Sequence, residues 1–371
     1  MNILIFYVSI GDGHNQVAHT LKNSFITDNS NNIVKVINIL NLINPILDKF
    51  ILDSYLKILK FYPKAWGKIY NKTNKLHPIV DINDITNKII SSKLKKFILD
   101  FHPDVILCTH SFSSSIIAGL KEKKAINNPL ITLITDYNIH SSYINDYTDY
   151  YVIAHENLIP CIELYDVKRS QILPFGIPIK PDFSIKLNKK DILNRLSIKD
   201  KTTILVMGGG LGLGSIFRIV NKLDNSYKSI QILVITGHNY ALNMKLKSIK
   251  SINELKIFGF IPNVHELMEV SDCIITKPGG VTCAEIFSKD KPLIIYSPFP
   301  GQESDNTNYL LNYGVAVIAH NTDAIPYLIN MVLSLDIKKG SIKKFSTYLY
   351  KPNAATDLVR FTTKTYSQIQ R

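Results

Sequence analysis

Apolar residues in this chain gather in short continuous runs rather than alternating with polar ones. Residues 2–9 (NILIFYVS), 32–40, 105–109 (VILCT), 130–135 (LITLIT) and 149–154 (DYYVIA) form one series. Residues 203–207 (TILVM), 230–236 (IQILVIT), 255–258, 273–276 (CIIT), 292–296 (PLIIY) and 314–319 form a second. Such runs, bounded by polar turns, predict parallel strands buried on both faces. Between them, residues 15–26, 88–99, 191–196, 265–270 and 281–288 carry helical spacing. Strand and helix in alternation define βα units, so the fold class is α/β. The alternation breaks at 173–181 (LPFGIPIKP), where three prolines and a glycine interrupt both patterns. We place a boundary there. The expected organisation is a first domain over 1–175, a second over 182–340, and a helical tail over 341–371 that packs back on the first domain.

Composition bounds the function. A chain of 371 residues with 46% hydrophobic content has enough apolar material for two cores. The net charge of +13 and pI near 9.3 predict an anionic partner: a membrane surface, nucleic acid or a phosphorylated substrate. Cys108, Cys161, Cys273 and Cys283 stand far apart without a CxxC, so neither zinc nor a disulfide framework is expected, and free thiols fit a reducing compartment. No run approaches the ~20 apolar residues of a membrane span. Residues 1–7 read as an opening strand rather than a signal peptide.

The most informative stretch is 276–306, TKPGGVTCAEIFSKDKPLIIYSPFPGQESDN. A strand enters Lys277-Pro278-Gly279-Gly280, and a helix holding Thr282 and Glu285 follows. Gly279 and Gly280 let backbone N–H groups approach a phosphate where the helix begins. Glu285, one to two turns further in, is placed to accept hydrogen bonds from ribose hydroxyls. After the next strand, Gln302, Glu303 and Asn306 in a polar loop suit sugar hydroxyls. The glycine run 208–214, including Gly209, Gly210 and Gly212, opens the second domain in the same manner. A tight turn and a solvated glutamate would explain Gly279-Gly280 or Glu285 singly. The ordered set points to a nucleotide-sugar site at the carboxyl ends of parallel strands. It also points away from a protein that merely binds nucleic acid or membrane.

At the start of the chain, Gly11-Asp12-Gly13-His14 joins the first strand to a helix. It is not a dinucleotide fingerprint, because Gln16 occupies the third glycine position. The helix dipole disfavours a proton on His14, so a neutral general base is one reading and a helix cap or loop hydrogen bond is the other. Asp12 and Asp136 are fallback bases. His110, Asp136, His140 and Glu156 stand at other strand ends and are expected at the same edge of the sheet. Residues 49–75 mix lysines 49, 57, 60, 64, 68, 72 and 75 with Phe50, Tyr55, Phe61, Tyr62, Trp66 and Tyr70 on an amphipathic helix. Lys57, Lys60, Lys64 and Trp66 are expected at an anionic bilayer, although ordinary packing against the domain core gives the same pattern.

The motifs at 11–15, 135–140 with 149–156, 208–214, 259–260, 276–285 and 301–306 together resemble the processive diacylglycerol glycosyltransferases and monogalactosyldiacylglycerol synthases of glycosyltransferase family 28, over nearly the whole chain. The resemblance implies a GT-B fold, two Rossmann-like domains facing a central cleft. It implies UDP-hexose as donor (a substrate, with no cofactor and no metal) and diacylglycerol or a glycosyl-diacylglycerol as acceptor. A β-glycoside made by inversion, and peripheral attachment to the cytoplasmic membrane face, follow from the same likeness. By position, His14 lies in the acceptor-side loop, with His110 and His140 on the acceptor side; Glu285 lies at the ribose, and Gln302 and Glu303 at the donor sugar. Asp12, where relatives often carry Asn or Gly, leaves the base open. The absence of any Asp-x-Asp agrees with metal-free chemistry. Two alternatives share the fold: a UDP-N-acetylglucosamine-dependent transferase acting on another lipid, and a UDP-sugar epimerase. The sequence does not distinguish glucose from galactose.

Overall fold

The computed structural model describes residues 1–74, 88–334 and 344–366. The 340/341 domain limit, Lys75 and the Lys60 side chain lie outside the described residues. The chain forms two compact units. The first holds described residues of Met1–Lys180, Phe299–Gln302 and the helix Ala354–Tyr366; the second holds those of Pro181–Pro298 and Glu303–Pro352.

In the first unit six parallel strands, β1 (Asn2–Tyr7), β2 (Ile33–Asn38), β3 (Val105–Cys108), β4 (Leu130–Leu133), β5 (Tyr150–Val152) and β6 (Ile172–Leu173), lie in the order β2-β1-β3-β4-β5-β6. Ile5 pairs with Val36 on one side and Leu107 on the other. Leu4, Phe6 and Val8 join a core with Leu94, Ile98, Ile116 and Ile117, while Ile3 and Ile5, alternate along the strand, are equally buried. Burial on both faces is why the run is continuous. Each such side chain contributes about 1.5–3 kcal/mol. Helix α1 (Asp12–Asp28) follows β1, and Ala354–Tyr366 packs against it, with the Phe361 ring 4.8 Å from Tyr150.

The second unit repeats the plan with β7 (Thr203–Met207), β8 (Gln231–Ile235), β9 (Glu254–Phe258), β10 (Cys273–Thr276), β11 (Leu293–Tyr296) and β12 (Ala316–Ala319), in the order β12-β11-β10-β7-β8-β9. All of its pairings are parallel. Strand order reverses at β1/β3 in the first sheet and at β7/β10 in the second. Open α/β sheets bind ligands beyond the strand ends at such switch points.

Two expectations need correction. The basic–aromatic stretch is not one helix but two, α3 (Pro45–Phe61) and α4 (Pro63–Thr73). Pro63 has no N–H to continue α3 and instead starts α4, where a missing donor does no harm. Residues 302–306 are not a loop. They open the helix α13 (Gln302–Asn312), whose first turn holds Glu303 and Asp305, acids favoured at the positive helix end. Further helices are α2 (Ile39–Ile43), α5 (Lys88–Phe101), α6 (Ser111–Glu122), α7 (Ile159–Glu163), α8 (Lys189–Leu196), α9 (Ile216–Ser226), α10 (Tyr240–Lys247), α11 (Val264–Val270), α12 (Gly280–Ser288) and α14 (Ala324–Ser334). Among the described residues no helix is long and apolar enough to cross a membrane.

Candidate active site

At the β1/β3 switch point, Gly11 adopts φ 77°, a conformation other residues rarely take, and turns the chain into α1. His14 then sits in the first helical turn, half-buried. Its Nδ1 lies 2.6 Å from the carbonyl oxygen of Thr109, at the end of β3, and 3.2 Å from Thr135 Oγ1, beyond β4. Thr109 Oγ1 donates back to the His14 carbonyl at 3.0 Å. A carbonyl only accepts, so Nδ1 carries the proton and Nε2 keeps its lone pair. Burial pushes the His14 pKa down to about 4, against a smaller opposing effect of the Thr109 bond. The direction is the one expected at a helix N-terminus, and desolvation is its main cause. The result is a neutral imidazole of fixed tautomer.

The neighbouring polar groups divide by role. His110 stacks edge-on against His14 with ring centroids 4.6 Å apart, and its Nδ1 accepts the Phe112 N–H that opens α6. Burial, and then the neighbouring His14, hold its pKa well below the usual value. His140 is buried; its Nε2 donates to the Tyr70 carbonyl at 3.1 Å and its Nδ1 accepts the Ser142 N–H. His155 likewise accepts from Asn157 N–H beside Glu156. These three histidines cap the helices that follow them. Asp136 is half-buried near the Tyr143 hydroxyl, whose pKa rises through burial and then through that carboxylate. Asp12 is exposed at the start of α1. At the switch point His14 and His110 both have position, tautomer and charge state fixed, but the His110 lone pair on Nδ1 is taken by the Phe112 N–H, whereas His14 keeps its own on Nε2. Thr109 and Thr135, which fix it, were missed; the only signal was a threonine at the end of each of two neighbouring strands.

In the second unit the glycines divide in the same way. A Cβ on Gly208 would lie 2.4 Å from Ile216 Cδ1, on Gly212 2.0 Å from the Thr236 oxygen, and on Gly237 2.1 Å from the Gly210 oxygen. These glycines let the loop after β7 pack on the turn after β8. The Gly212 N–H bonds Gly209 O, and its carbonyl accepts from Asn239 Nδ2. Gly212 therefore serves the loop's own geometry, and anion contact there would fall to Gly209 and Gly210. Gly279 is different. Its φ of −66° suits any residue, and an added Cβ would meet only Thr282 Oγ1, at 3.9 Å. The fold does not require glycine there, but a bare backbone leaves the N-terminus of α12 approachable.

Around that N-terminus, Gly280 is the first residue of α12, Thr282 is half-buried in the first turn and Glu285 is buried in the second. Burial removes the solvated reading of Glu285. Lys277 is also buried, its Cε close to Gly214 of the β7 loop and its Nζ 3.7 Å from Glu303 Oε2 at the start of α13. Burial lowers its pKa to about 8, with Glu303 opposing the shift. Asn306 Nδ2 donates to the Pro278 carbonyl at 2.9 Å, tying α13 to the β10–α12 turn. Asn306 thus holds the site in shape, while Gln302 and Glu303 lie in the first turn of α13. A buried cation and an uncapped helix N-terminus at the β7/β10 switch point suit a diphosphate.

The α3–α4 segment exposes Ile46, Phe50, Phe61, Tyr62 and Ile69, with Lys57, Lys64 and Lys68 among them. Trp66 is half-buried and packs edge-on against Tyr55 at 5.1 Å, so the exposed aromatics are its neighbours.

Comparison with known proteins agrees with this division. Residues 14–179 match the monogalactosyldiacylglycerol (MGDG) synthase model, and residues 203–354 match the glycosyltransferase family 28 C-terminal domain. A processive diacylglycerol beta-glucosyltransferase of Bacillus thuringiensis (strain Al Hakam) is 29% identical over 364 residues, covering 96% of this chain and 92% of the relative. In structure the chain is similar to Acinetobacter baumannii MurG (TM-score 0.65, 12% identity, 98% and 99% covered). It is also similar to UDP-bound S. aureus MnaA (TM-score 0.65, 15% identity, 100% and 98% covered) and to the Neisseria meningitidis UDP-GlcNAc 2-epimerase (TM-score 0.59, 15% identity, 98% and 100% covered). These likenesses identify the GT-B fold, which transferases and an epimerase share, and the sequence matches supply the rest. The chain is a glycosyltransferase that belongs to the diacylglycerol glycosyltransferase and monogalactosyldiacylglycerol synthase family of glycosyltransferase family 28.

Proposed function

We propose that this protein transfers a hexose from a UDP-sugar to diacylglycerol or a glycosyl-diacylglycerol at a membrane surface, giving a β-glycolipid by single displacement. The observation that carries the reading is His14, held neutral with its Nε2 lone pair available by the Thr109 carbonyl on Nδ1. In the proposed step Nε2 takes the proton of the acceptor hydroxyl as that oxygen attacks the anomeric carbon. The bond from the anomeric carbon to the UDP oxygen breaks, so an α-linked donor gives a β-linked product. The departing diphosphate gathers charge at Gly279–Gly280 and Lys277, groups that supply positive potential without a metal. Glu285 holds the ribose, and Gln302 with Glu303 hold the hexose.

Glucose is the preferred donor in this reading, from the activity named for the Bacillus relative; galactose is the other. The exposed aromatics and lysines of α3–α4 support peripheral attachment to the anionic cytoplasmic membrane face, each lysine contributing about 1 kcal/mol. No nucleic acid is involved. The test is thin-layer chromatography of lipids after incubation with diacylglycerol vesicles and labelled UDP-glucose or UDP-galactose, with and without EDTA. A labelled glycolipid from one donor, undiminished by EDTA, is expected. Epimerised UDP-sugar in the absence of lipid, or product only from UDP-N-acetylglucosamine, would replace the reading with its alternatives.

A further inference from the structure

The turn that enters α13 is shaped against helix α4. Gly67 and Tyr70 lie three residues apart on one buried face of that helix. A Cβ on Gly67 would stand 2.5 Å from Pro300 Cβ, and one on Gly301 would stand 2.9 Å from Tyr70 Cγ. Pro300 therefore rests on the helix backbone at Gly67, and the Tyr70 ring rests on the turn backbone at Gly301. Gly301 takes φ 100°, which other residues rarely adopt.

The seat is itself held. His140 donates to the Tyr70 carbonyl at 3.1 Å, and its ring lies 4.2 Å from the Tyr70 ring. Ser141 N–H donates to Asn74 Oδ1 at 3.0 Å and Ser141 Oγ to the Thr73 carbonyl at 2.8 Å, fixing the end of α4. The residue after Gly301 is Gln302, followed by Glu303.

We propose that Gly67 and Tyr70 are positioning residues for the donor sugar: they seat the turn Phe299–Gln302 and so set where Gln302 meets the hexose. This rests on the reading of Gln302 as a sugar contact. Neither Gly67 nor Tyr70 needs to touch substrate. The exposed face of the same helix carries Lys64 and Lys68, so one short helix carries two of the membrane-facing lysines and seats the donor-sugar turn.

The test separates sugar from nucleotide. Calorimetry gives Kd for UDP and for UDP-glucose with the wild-type protein, Gly67→Ala and Tyr70→Ala. Alanine favours the helix itself over glycine, so the effect of Gly67→Ala arises at Pro300. Both variants are expected to bind UDP within about twofold of wild type and UDP-glucose about tenfold more weakly, as for one lost hydrogen bond. Equal weakening toward UDP and UDP-glucose in both variants, or an unchanged ratio, overturns the inference alone. If the wild type binds UDP and UDP-glucose equally, the sugar contacts themselves fall, and the inference falls with them.

Discussion

His14→Asn separates the base from the hydrogen bond that positions it. The asparagine amide N–H occupies roughly the place of Nδ1 and can still donate to the Thr109 carbonyl, but nothing replaces Nε2. At pH 7 stability should therefore stay within about 1 kcal/mol of wild type, while kcat falls by about 10²–10⁴, the usual contribution of a positioned base. The acid side gives an independent number. His14 titrates at 6.5 when unfolded and at about 4 when folded. Its folded pKa is depressed, so the unfolded chain binds the proton more readily below pH 6.5. Stability present above 6.5 is lost as pH falls to about 4. A difference of two to three pH units corresponds to roughly 3 kcal/mol. Urea unfolding of both proteins from pH 7 to pH 4 measures it: the wild type should lose about 3 kcal/mol more than His14→Asn. Burial, the larger cause of the lowered His110 pKa, is present in both proteins. Parallel stability curves, or a variant turning over within about threefold of wild type, would refute the assignment.

Other perturbations test the remaining parts. Gly279→Ala should leave the unfolding midpoint unchanged and weaken UDP binding about tenfold, whereas Gly212→Ala should unfold readily because its Cβ meets the Thr236 oxygen. Glu285→Ala should raise the Kd for UDP by about tenfold or more through lost ribose hydrogen bonds, and calorimetry reads this directly. Lys277 loses its charge as pH rises through about 8, so kcat should decline there, and Lys277→Arg should remove the decline. Replacing Lys57, Lys64 and Lys68 together by Glu should shift co-sedimentation with anionic vesicles strongly toward the free protein; unchanged binding would leave α3–α4 as packing alone.

Much of the fold was legible because both sheets are parallel and their inner strands are buried on both faces, which writes those strands as apolar runs, whereas the edge strands β2 and β9 are half-exposed and carry Lys35, Glu254 and Lys256. Pro174, Pro178 and Pro181 marked the passage between units for the same local reason. The helical start at Gln302 was not legible, because Gln-Glu-Ser-Asp-Asn reads as a loop until Gly301 is seen to hand it to a helix N-terminus. The break at Pro63 was visible, but the amphipathic pattern on either side masked it. The glycine turn before it singled out His14 over His110 and His140 in the sequence, but only partners distant in sequence, Thr109 for His14 and Tyr70 for His140, separate a free Nε2 from a ring with both nitrogens engaged. The same holds for glycine: Gly212 and Gly279 look alike in sequence, and only the space around each distinguishes packing from ligand access.

The central claim is a single displacement in which His14 deprotonates a lipid hydroxyl. Its most direct test is proton NMR of the lipid product made from α-linked UDP-glucose and diacylglycerol, read at the anomeric position. A β-glucosyl lipid is expected from the wild type and almost none from His14→Asn. An α-glucosyl lipid, or a β-glucosyl lipid formed at the same rate by both proteins, would contradict it.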